Sequence, residues 1–175
     1  MSSFITALVL LISTDTLAEQ QAVRESASAR RIEKVASVPA SRKDVWRVLT
    51  TTSGARSFFA PDARVDLRAG GAYEMYFDDS QPEGRRGSEG CRIVSFEKER
   101  SLLFTWNAPP RFGPLRDEHT WVLIELMKGA HGTTTVKLTH FGWREGEAWN
   151  EIYRYFDRAW DHVLQALMRR FDGHR

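Results

Sequence analysis

Two histidines stand close to neighbouring predicted strands and could act together. His140 follows Val136 and Leu138 on the apolar side of one strand, and His119 lies at the start of the strand before it. If residues 128–131 form a four-residue hairpin loop, His119 lies opposite His140. Two imidazoles facing each other at about 5 Å between Cβ atoms would form half of a metal site or an acid–base pair.

A hairpin loop longer by one residue turns His119 outward, because side chains alternate between the two faces of a strand. The face formed by Val122, Ile124 and Leu126 is more apolar than the opposite face, which favours this second register. His140 is then a hydrogen-bonded structural residue. We predict no metal and no cofactor.

The acidic loop over residues 78–83 offers a second candidate site. Asp78, Asp79 and Glu83 stand beside the basic pair Arg85-Arg86, as in a calcium loop or an active-site pair. The repeated acidic spacing of a calcium-binding loop is missing, which favours a solvated loop. The sequence also lacks a phosphate-binding glycine loop, a nucleophile elbow and a zinc-protease motif. We therefore assign no catalytic residue, although enzymes with scattered polar groups lack such motifs too.

Aromatic side chains form the third candidate set; the chain has 6 Trp, 10 Phe and 4 Tyr. Residues on predicted inward faces could line a pocket for an apolar or aromatic ligand, or they could simply pack as core. Both interpretations stay open at this point. The candidate cavity-lining residues are Trp46, Phe58, Phe59, Tyr73, Met75, Phe77, Trp106, His140, Trp143, Tyr153, Phe156 and Trp160.

Strands must position most of these residues. A period near two predicts strands over residues 31–38, 64–67, 72–77, 90–96, 102–106, 120–127 and 133–141. In the first of them, Ile32, Val35 and Val38 imply one slip in phase. Short strands with tight turns indicate an antiparallel meander.

Helices are predicted at both ends of this series. Ser41 is a good N-cap for a short helix, which Ser53-Gly54 breaks before a second helical turn over residues 55–59. Apolar residues at three- and four-residue steps then predict one long helix over residues 147–171. Only this helix is long enough to cover the apolar face of the sheet, so the fold class is α+β in two layers.

Charge and cysteine content exclude other classes of protein. The formal net charge is only +2 over 175 residues, and the basic pairs are scattered, so we predict no nucleic-acid partner. Cys91 is the single cysteine, which rules out an intramolecular disulfide and a cysteine-based metal site. In a predicted strand it is expected to be a small buried hydrophobe.

The N-terminus contains an uncharged apolar run over residues 4–12. It is shorter than the roughly 20 residues of a membrane-spanning helix but suits the apolar segment of a secretory signal. We therefore predict a signal peptide over 1–18, a linker over 19–29 and one folded domain over 30–172. An exported or periplasmic location follows. The alternative is a cytoplasmic protein whose leader is a disordered extension or a mis-assigned start.

Several segments resemble, in order, the activator of heat-shock-protein-90 ATPase homologue-like family of the SRPBCC (START-like) superfamily. They are Val38-Pro39-Ala40-Ser41 with Val45-Trp46, Phe58-Phe59-Ala60-Pro61, Leu67-Arg68-Ala69-Gly70-Gly71, Leu103-Phe104-Thr105-Trp106, and Leu138-Thr139-His140 with Gly142-Trp143. Phe58 stands where the family usually has Trp, and Ala69 replaces a proline. The resemblance implies a helix-grip (START-like, Bet v 1-like) fold, with a curved antiparallel sheet of six or seven strands around the C-terminal helix and two short helices after the first strand.

The resemblance implies a cavity between the sheet and the long helix. It favours non-enzymatic binding of a small hydrophobic or aromatic molecule. One alternative is a co-chaperone-like module, whose chaperone partner requires a cytoplasmic location. Another is an enzyme that uses His140 with Tyr73 or Tyr153 in the same cavity.

Overall fold

The computed structural model describes residues 30–172, in which seven strands and three α-helices follow one another along the chain. The strands are β1 (Ile32–Val38), β2 (Asp62–Val65), β3 (Tyr73–Tyr76), β4 (Ile93–Glu97), β5 (Ser101–Trp106), β6 (Thr120–Lys128) and β7 (Thr134–Phe141). The helices are α1 (Arg42–Thr50), α2 (Thr52–Arg56) and α3 (Glu147–Asp172), and short 3-10 segments cover Pro110–Asp117 and Ala130–Gly132.

Five strands form one antiparallel sheet in the order β1-β7-β6-β5-β4, and β2 pairs with β3 in a separate ribbon. The ribbon stays joined to the large sheet through single bridges, Ala72 to Arg92 and Tyr76 to Gly87. The seven predicted strands are therefore present, divided five and two. A curved sheet with the long C-terminal helix packed on it is the helix-grip α+β fold that the sequence predicts.

Helix α3 places one apolar stripe on the sheet. Its buried residues recur at three- and four-residue steps, as expected for one face of a helix; they are Trp149, Ile152, Phe156, Trp160, Leu164, Leu167 and Phe171. At the sheet edge, the Lys34 ammonium lies 3.0 Å from both Asp157 and Asp161 of this helix. These ion pairs tie β1 to the middle of α3.

The first strand keeps a regular phase, so the predicted slip at Val35 is wrong. Val35 is 66% exposed, whereas Ile32, Ala36 and Val38 are buried. The inward position between Ile32 and Ala36 belongs to Lys34, whose charge is neutralised by helix α3. Because a lysine occupies an inward position, the sequence of this strand does not show a regular alternation of apolar and polar residues.

The break between the two short helices lies at Thr51, and not at Ser53-Gly54. Thr51 has extended backbone angles, and its hydroxyl caps α2 by accepting from the Gly54 amide at 3.1 Å. Gly54 lies inside α2, where a Cβ atom would stand 2.4 Å from the Cα of Val48. This glycine therefore serves close packing of α2 on α1.

No helix within residues 30–172 is both long and apolar enough to cross a membrane. The predicted signal peptide and linker, residues 1–29, lie outside the described residues.

Candidate functional site

A cavity of about 370 Å³ opens between the middle of helix α3 and the loops that follow β3 and β5. Its volume falls within the roughly 300–1,000 Å³ of small-molecule sites. The wall consists of Phe59, Phe77, Asp78, Gln81, Arg85, Arg86, Gly87, Ser88, Trp106, Asn107, Pro109, Pro110, Arg111, Tyr155, Phe156, Ala159, Trp160 and Val163.

The deep part of the cavity is aromatic. The ring of Trp106 lies 5.7 Å from that of Phe59 and 5.5 Å from that of Trp160, between centroids. These three rings and that of Phe156 are buried. Phe77 lies nearer the solvent, 48% exposed, with its ring 6.3 Å from that of Phe59. We call these five residues, Phe59, Phe77, Trp106, Phe156 and Trp160, the open cluster.

The loop after β3 returns close beside that strand and forms one side of the cavity. Gly87 permits this approach, since a Cβ atom there would stand 1.8 Å from the Met75 carbonyl oxygen. The Ser88 hydroxyl accepts from the Met75 amide at 2.7 Å, and the Ser88 amide donates back to the Met75 carbonyl. The loop is therefore fixed to the ribbon at its far end.

A shielded ion pair joins the loops after β3 and β5. The guanidinium of Arg116 lies 3.0 Å from the Glu89 carboxylate, and both side chains are about nine-tenths buried. Burial would raise the pKa of Glu89, but the amides of Arg86 and Gly87 and the charge of Arg116 hold it below its ordinary value. Arg116 also donates to the Ala108 carbonyl at 2.8 Å. This network keeps both loops at the cavity in one arrangement.

Arginines surround the mouth. Arg111 stacks with its guanidinium 4.5 Å from the centre of the Tyr155 ring, and Arg86 lies over Tyr76 at 4.9 Å. The one carboxylate in the wall, Asp78, accepts hydrogen bonds from its own loop. These bonds, led by that of the Ser80 hydroxyl, lower the pKa of Asp78.

His140 lies outside this wall, fully buried behind it. The Trp160 indole N–H donates to His140 Nδ1 at 2.9 Å. Because an indole only donates, the proton of the neutral imidazole is on Nε2, which donates to Thr120 Oγ1 at 2.7 Å. The Thr120 hydroxyl then donates to the Trp106 carbonyl at 3.1 Å. Burial holds the pKa of His140 well below its ordinary value, so the ring is neutral near pH 7.

Aromatic rings complete the surroundings of His140. Trp143 lies 4.1 Å from the imidazole between ring centroids and donates from its indole to the His140 carbonyl at 3.1 Å. Trp149 and Tyr153 pack on Trp143 in turn. We call His140, Trp143, Trp149 and Tyr153 the closed cluster, since its rings pack on one another and the polar side-chain atoms of His140, Trp143 and Tyr153 have partners within the protein.

The predicted His119–His140 pair does not form. Residues 129–133 form a five-residue hairpin loop, so Val122 lies opposite His140 and His119 precedes the strand. Val122, Ile124 and Leu126 are buried, which confirms the inward face of the longer-loop register. Within residues 30–172, no group of three or more His, Cys, Asp or Glu side chains is placed to hold a metal ion.

The twelve predicted cavity residues separate into two groups. Phe59, Phe77, Trp106, Phe156 and Trp160 line the cavity, and their binding of a ligand stays a prediction. The other seven lie outside its wall; they are Trp46, Phe58, Tyr73, Met75, His140, Trp143 and Tyr153.

The two candidate catalytic tyrosines have structural partners. The Tyr73 hydroxyl donates to the Leu49 carbonyl at 3.0 Å, and burial raises its pKa above the ordinary value. The Tyr153 hydroxyl donates to the Arg31 carbonyl at 3.0 Å. Cys91 is buried as predicted, and burial raises the pKa of its thiol to about 12. The proposed acid–base use of His140 with either tyrosine has no geometric support.

Sequence reasoning missed the arginines of the mouth and the second side of α3, which contributes Tyr155, Ala159 and Val163. A topological signal could have found the arginines. In an antiparallel meander, alternate strands run in the same direction. The loops after β3 and β5 therefore leave the sheet at the same end of the strands. Arg85 and Arg86 lie in the first loop and Arg111 in the second.

Comparison with known proteins agrees with this architecture. The chain is similar in structure to the protein MLL2253 from Mesorhizobium loti, with a TM-score of 0.66 and 17% identity over 83% of this chain and 99% of that one. It is also similar to the Aha1 dimer from Colwellia psychrerythraea, with a TM-score of 0.64 and 15% identity over 84% and 100%. The protein NE0264 from Nitrosomonas europaea has a TM-score of 0.63 and 20% identity over 83% and 96%.

At these identities the likeness concerns the fold. None of the curated proteins matches the chain. The family model described as "Activator of Hsp90 ATPase homolog 1-like protein" matches residues 39–172, which is most of the chain. Such a domain supports, in general terms, ligand binding or a co-chaperone-like role. The chain therefore belongs to the activator of Hsp90 ATPase homolog 1-like family.

Proposed function

We propose that the protein binds a small apolar or aromatic molecule in the cavity between helix α3 and the loops after β3 and β5. The observation that carries this proposal is an open cavity of about 370 Å³ with four buried aromatic residues in its wall. A ligand that covers apolar surface exposed to water in a folded protein gains about 25 cal/mol of binding free energy per Å² of that surface. The rings of the wall already pack on one another around the open space, so binding needs little reorganisation.

Binding, rather than catalysis, suits the polar groups of this wall. Asp78 is held by donors of its own loop, and the Asn107 amide donates to the Glu89 carbonyl at 2.9 Å. These groups stabilise the loops. The arginines of the mouth carry no proton that they can exchange near neutral pH.

The neutral dye N-phenyl-1-naphthylamine, which fluoresces in apolar surroundings, tests the proposal. We expect saturable binding by the wild type and at least tenfold weaker binding by Ala159→Trp, whose indole would fill the cavity from helix α3. Ala148→Trp is the matched control, since Ala148 is exposed at the start of the same helix and should leave binding unchanged. Equal binding by both variants would contradict the proposed site.

A co-chaperone-like role is the second candidate, favoured by the family match and by the outer face of the sheet. On that face Trp121 is 39% exposed, with its ring stacked on Phe141 at 6.2 Å, and Met127 is exposed towards the other end of the same strand. A partner protein could cover these side chains. Stimulation of the ATPase of the host's heat-shock protein 90 that Trp121→Ser abolishes and Ala159→Trp leaves intact would favour this function over the first.

We further propose that residues 1–18 direct export. The apolar run over residues 4–12 and the small residues before Glu19 support this proposal. The mass of the denatured protein from its native host tests it. A chain that begins at Glu19 is expected, and an intact Met1 would favour a cytoplasmic protein.

A further inference from the structure

We propose that the cavity takes small amphipathic acids, each with an apolar body that lies on the aromatic wall and a carboxylate that Arg111 and Arg85 bind at the mouth. This inference rests on the proposed ligand-binding function and names the chemical class of the ligand. It comes from an imbalance of charge in the wall, where three arginines stand with one carboxylate.

Depth separates the apolar and charged parts of the wall. The rings of Phe59, Trp106 and Trp160 are buried, whereas Arg85 and Arg111 are exposed. A ligand that buries an apolar body against the rings therefore brings its outer end to the arginines. An ionised end group stays partly in water at that level, which limits the cost of its desolvation.

Asp78 forms no ion pair with the arginines of the mouth, because neutral groups of its own loop hold its carboxylate. Its carboxylate accepts from the Ser80 amide at 3.0 Å, the Ser80 hydroxyl at 2.6 Å and the Gln81 amide at 3.2 Å. No ion pair joins it to an arginine within residues 30–172. Among the arginines, Arg86 lies 3.4 Å from the Glu89 carboxylate and is already paired.

Arg85 and Arg111 have no carboxylate within ion-pair distance among residues 30–172. Arg111 is nevertheless held in place, since its guanidinium stacks 4.5 Å from the centre of the Tyr155 ring and 4.6 Å from that of Phe112. A guanidinium that lies over an aromatic face keeps N–H groups available, and these can bind a carboxylate in a bidentate manner. Arg111 is therefore positioned but not neutralised.

Competition against bound N-phenyl-1-naphthylamine tests the inference with two molecules of the same length, octanoate and 1-octanol. Near neutral pH octanoate is ionised and 1-octanol is not. We expect octanoate to compete about threefold to tenfold more strongly with the wild type, although the alcohol is the more hydrophobic molecule. Raising the salt concentration from about 0.05 to 0.5 M should reduce this preference, because charges at the mouth are screened.

Arginine variants test which side chains cause the preference for octanoate over 1-octanol. Arg111→Gln should weaken octanoate about threefold to tenfold and 1-octanol less than about twofold, and Arg85→Gln with Arg111→Gln should abolish the preference. The matched control is Arg68→Gln with Arg100→Gln, which removes two exposed arginines elsewhere. All four side chains are exposed, so these variants should fold as the wild type does.

The outcomes separate the inference from the function on which it rests. If the dye itself does not bind, the proposed function fails. If the dye binds but 1-octanol competes as well as octanoate, or the control pair removes the preference equally, the amphipathic-acid inference is overturned and the apolar site stands. Binding to anionic vesicles that depends on Arg85 and Arg111, with no octanoate preference, would assign the arginines to a membrane surface and also overturn it.

Discussion

The closed and open clusters meet at Trp160 and use aromatic rings in opposite ways. The Trp160 indole N–H donates to His140 in the closed cluster, while its ring lines the cavity beside Trp106. In the closed cluster, the polar side-chain atoms of His140, Trp143 and Tyr153 have partners within the protein. In the open cluster, the rings face a space of about 370 Å³ that no side chain fills.

This difference shows what a histidine contributes to an aromatic core. His140 accepts from Trp160 at one nitrogen and donates to Thr120 at the other, so it fixes the rotamer of Trp160 from behind. Helix α3, with Phe156 and Trp160, and strand β5, with Trp106, then form one side of the open cluster. We therefore propose that stability and ligand binding depend largely on different rings, with Trp160 common to both, and substitutions should separate them.

The largest expected effect is on the closed cluster. His140→Ala should lower the free energy of unfolding by about 3 kcal/mol or more, because it leaves a void and removes the partners of Trp160 and Thr120. Urea denaturation measures the change. His119→Ala is the control, since His119 is half-buried before β6, and should cost less than about 1 kcal/mol. Equal losses would show that the hydrogen-bond chain does not stabilise the fold.

Acid should act on the same cluster. The pKa of His140 is depressed in the folded state, so the unfolded state binds the proton more readily and stability falls as pH drops below about 6.5. The expected loss from this group is about 1 kcal/mol between pH 6.5 and 5.5. His119, whose pKa is lowered mainly by burial, contributes in the same direction.

Urea denaturation at pH 6.5 and at pH 5.5 measures this loss of stability in the wild type, His140→Gln and His119→Gln, and shows which histidine causes it. His140→Gln should remove most of the pH dependence, and His119→Gln should keep most of it. A pH dependence unchanged in His140→Gln would contradict a buried neutral imidazole.

The smallest expected effect on stability comes from the open cluster. Phe77 is already 48% exposed, so Phe77→Ser should change the free energy of unfolding by less than about 0.5 kcal/mol. It should nevertheless weaken N-phenyl-1-naphthylamine binding about threefold, because part of the apolar wall is lost. Phe96, 40% exposed and packed on Trp46 away from the cavity, gives the control Phe96→Ser, with unchanged affinity. Weaker dye binding by Phe96→Ser, with unchanged binding by Phe77→Ser, would contradict the placement of the ligand site at Phe77.

The helix-grip fold could be predicted from the sequence because its elements follow clear periods. Helix α3 begins at Glu147, as its apolar stripe predicts, and ends at Asp172, one residue beyond the prediction. The errors occur where a tertiary contact overrides a local signal. Lys34 lies inward because α3 supplies two aspartates, and Gly54 stays helical because Val48 packs against it.

The candidate site was less predictable, because a period tells which way a side chain points but not whether space remains in front of it. Tyr73 and Trp106 both lie on inward faces, yet Tyr73 is enclosed and Trp106 lines the cavity. The difference depends on the conformation of the loops after β3 and β5. That conformation is set by long-range contacts such as the Glu89–Arg116 pair, 27 residues apart, which has no local pattern.

The six tryptophans offer the most direct test of the open cavity. A two-dimensional ¹⁵N–¹H spectrum resolves one indole signal for each, and 1-octanol can be titrated into the sample. We predict that the signals of Trp106 and Trp160 shift together and saturate, while those of Trp46 and Trp121, which lie outside the cavity wall, stay in place. Shifts confined to Trp121, or no saturable shift at Trp106 and Trp160, would contradict a ligand site between helix α3 and the two loops.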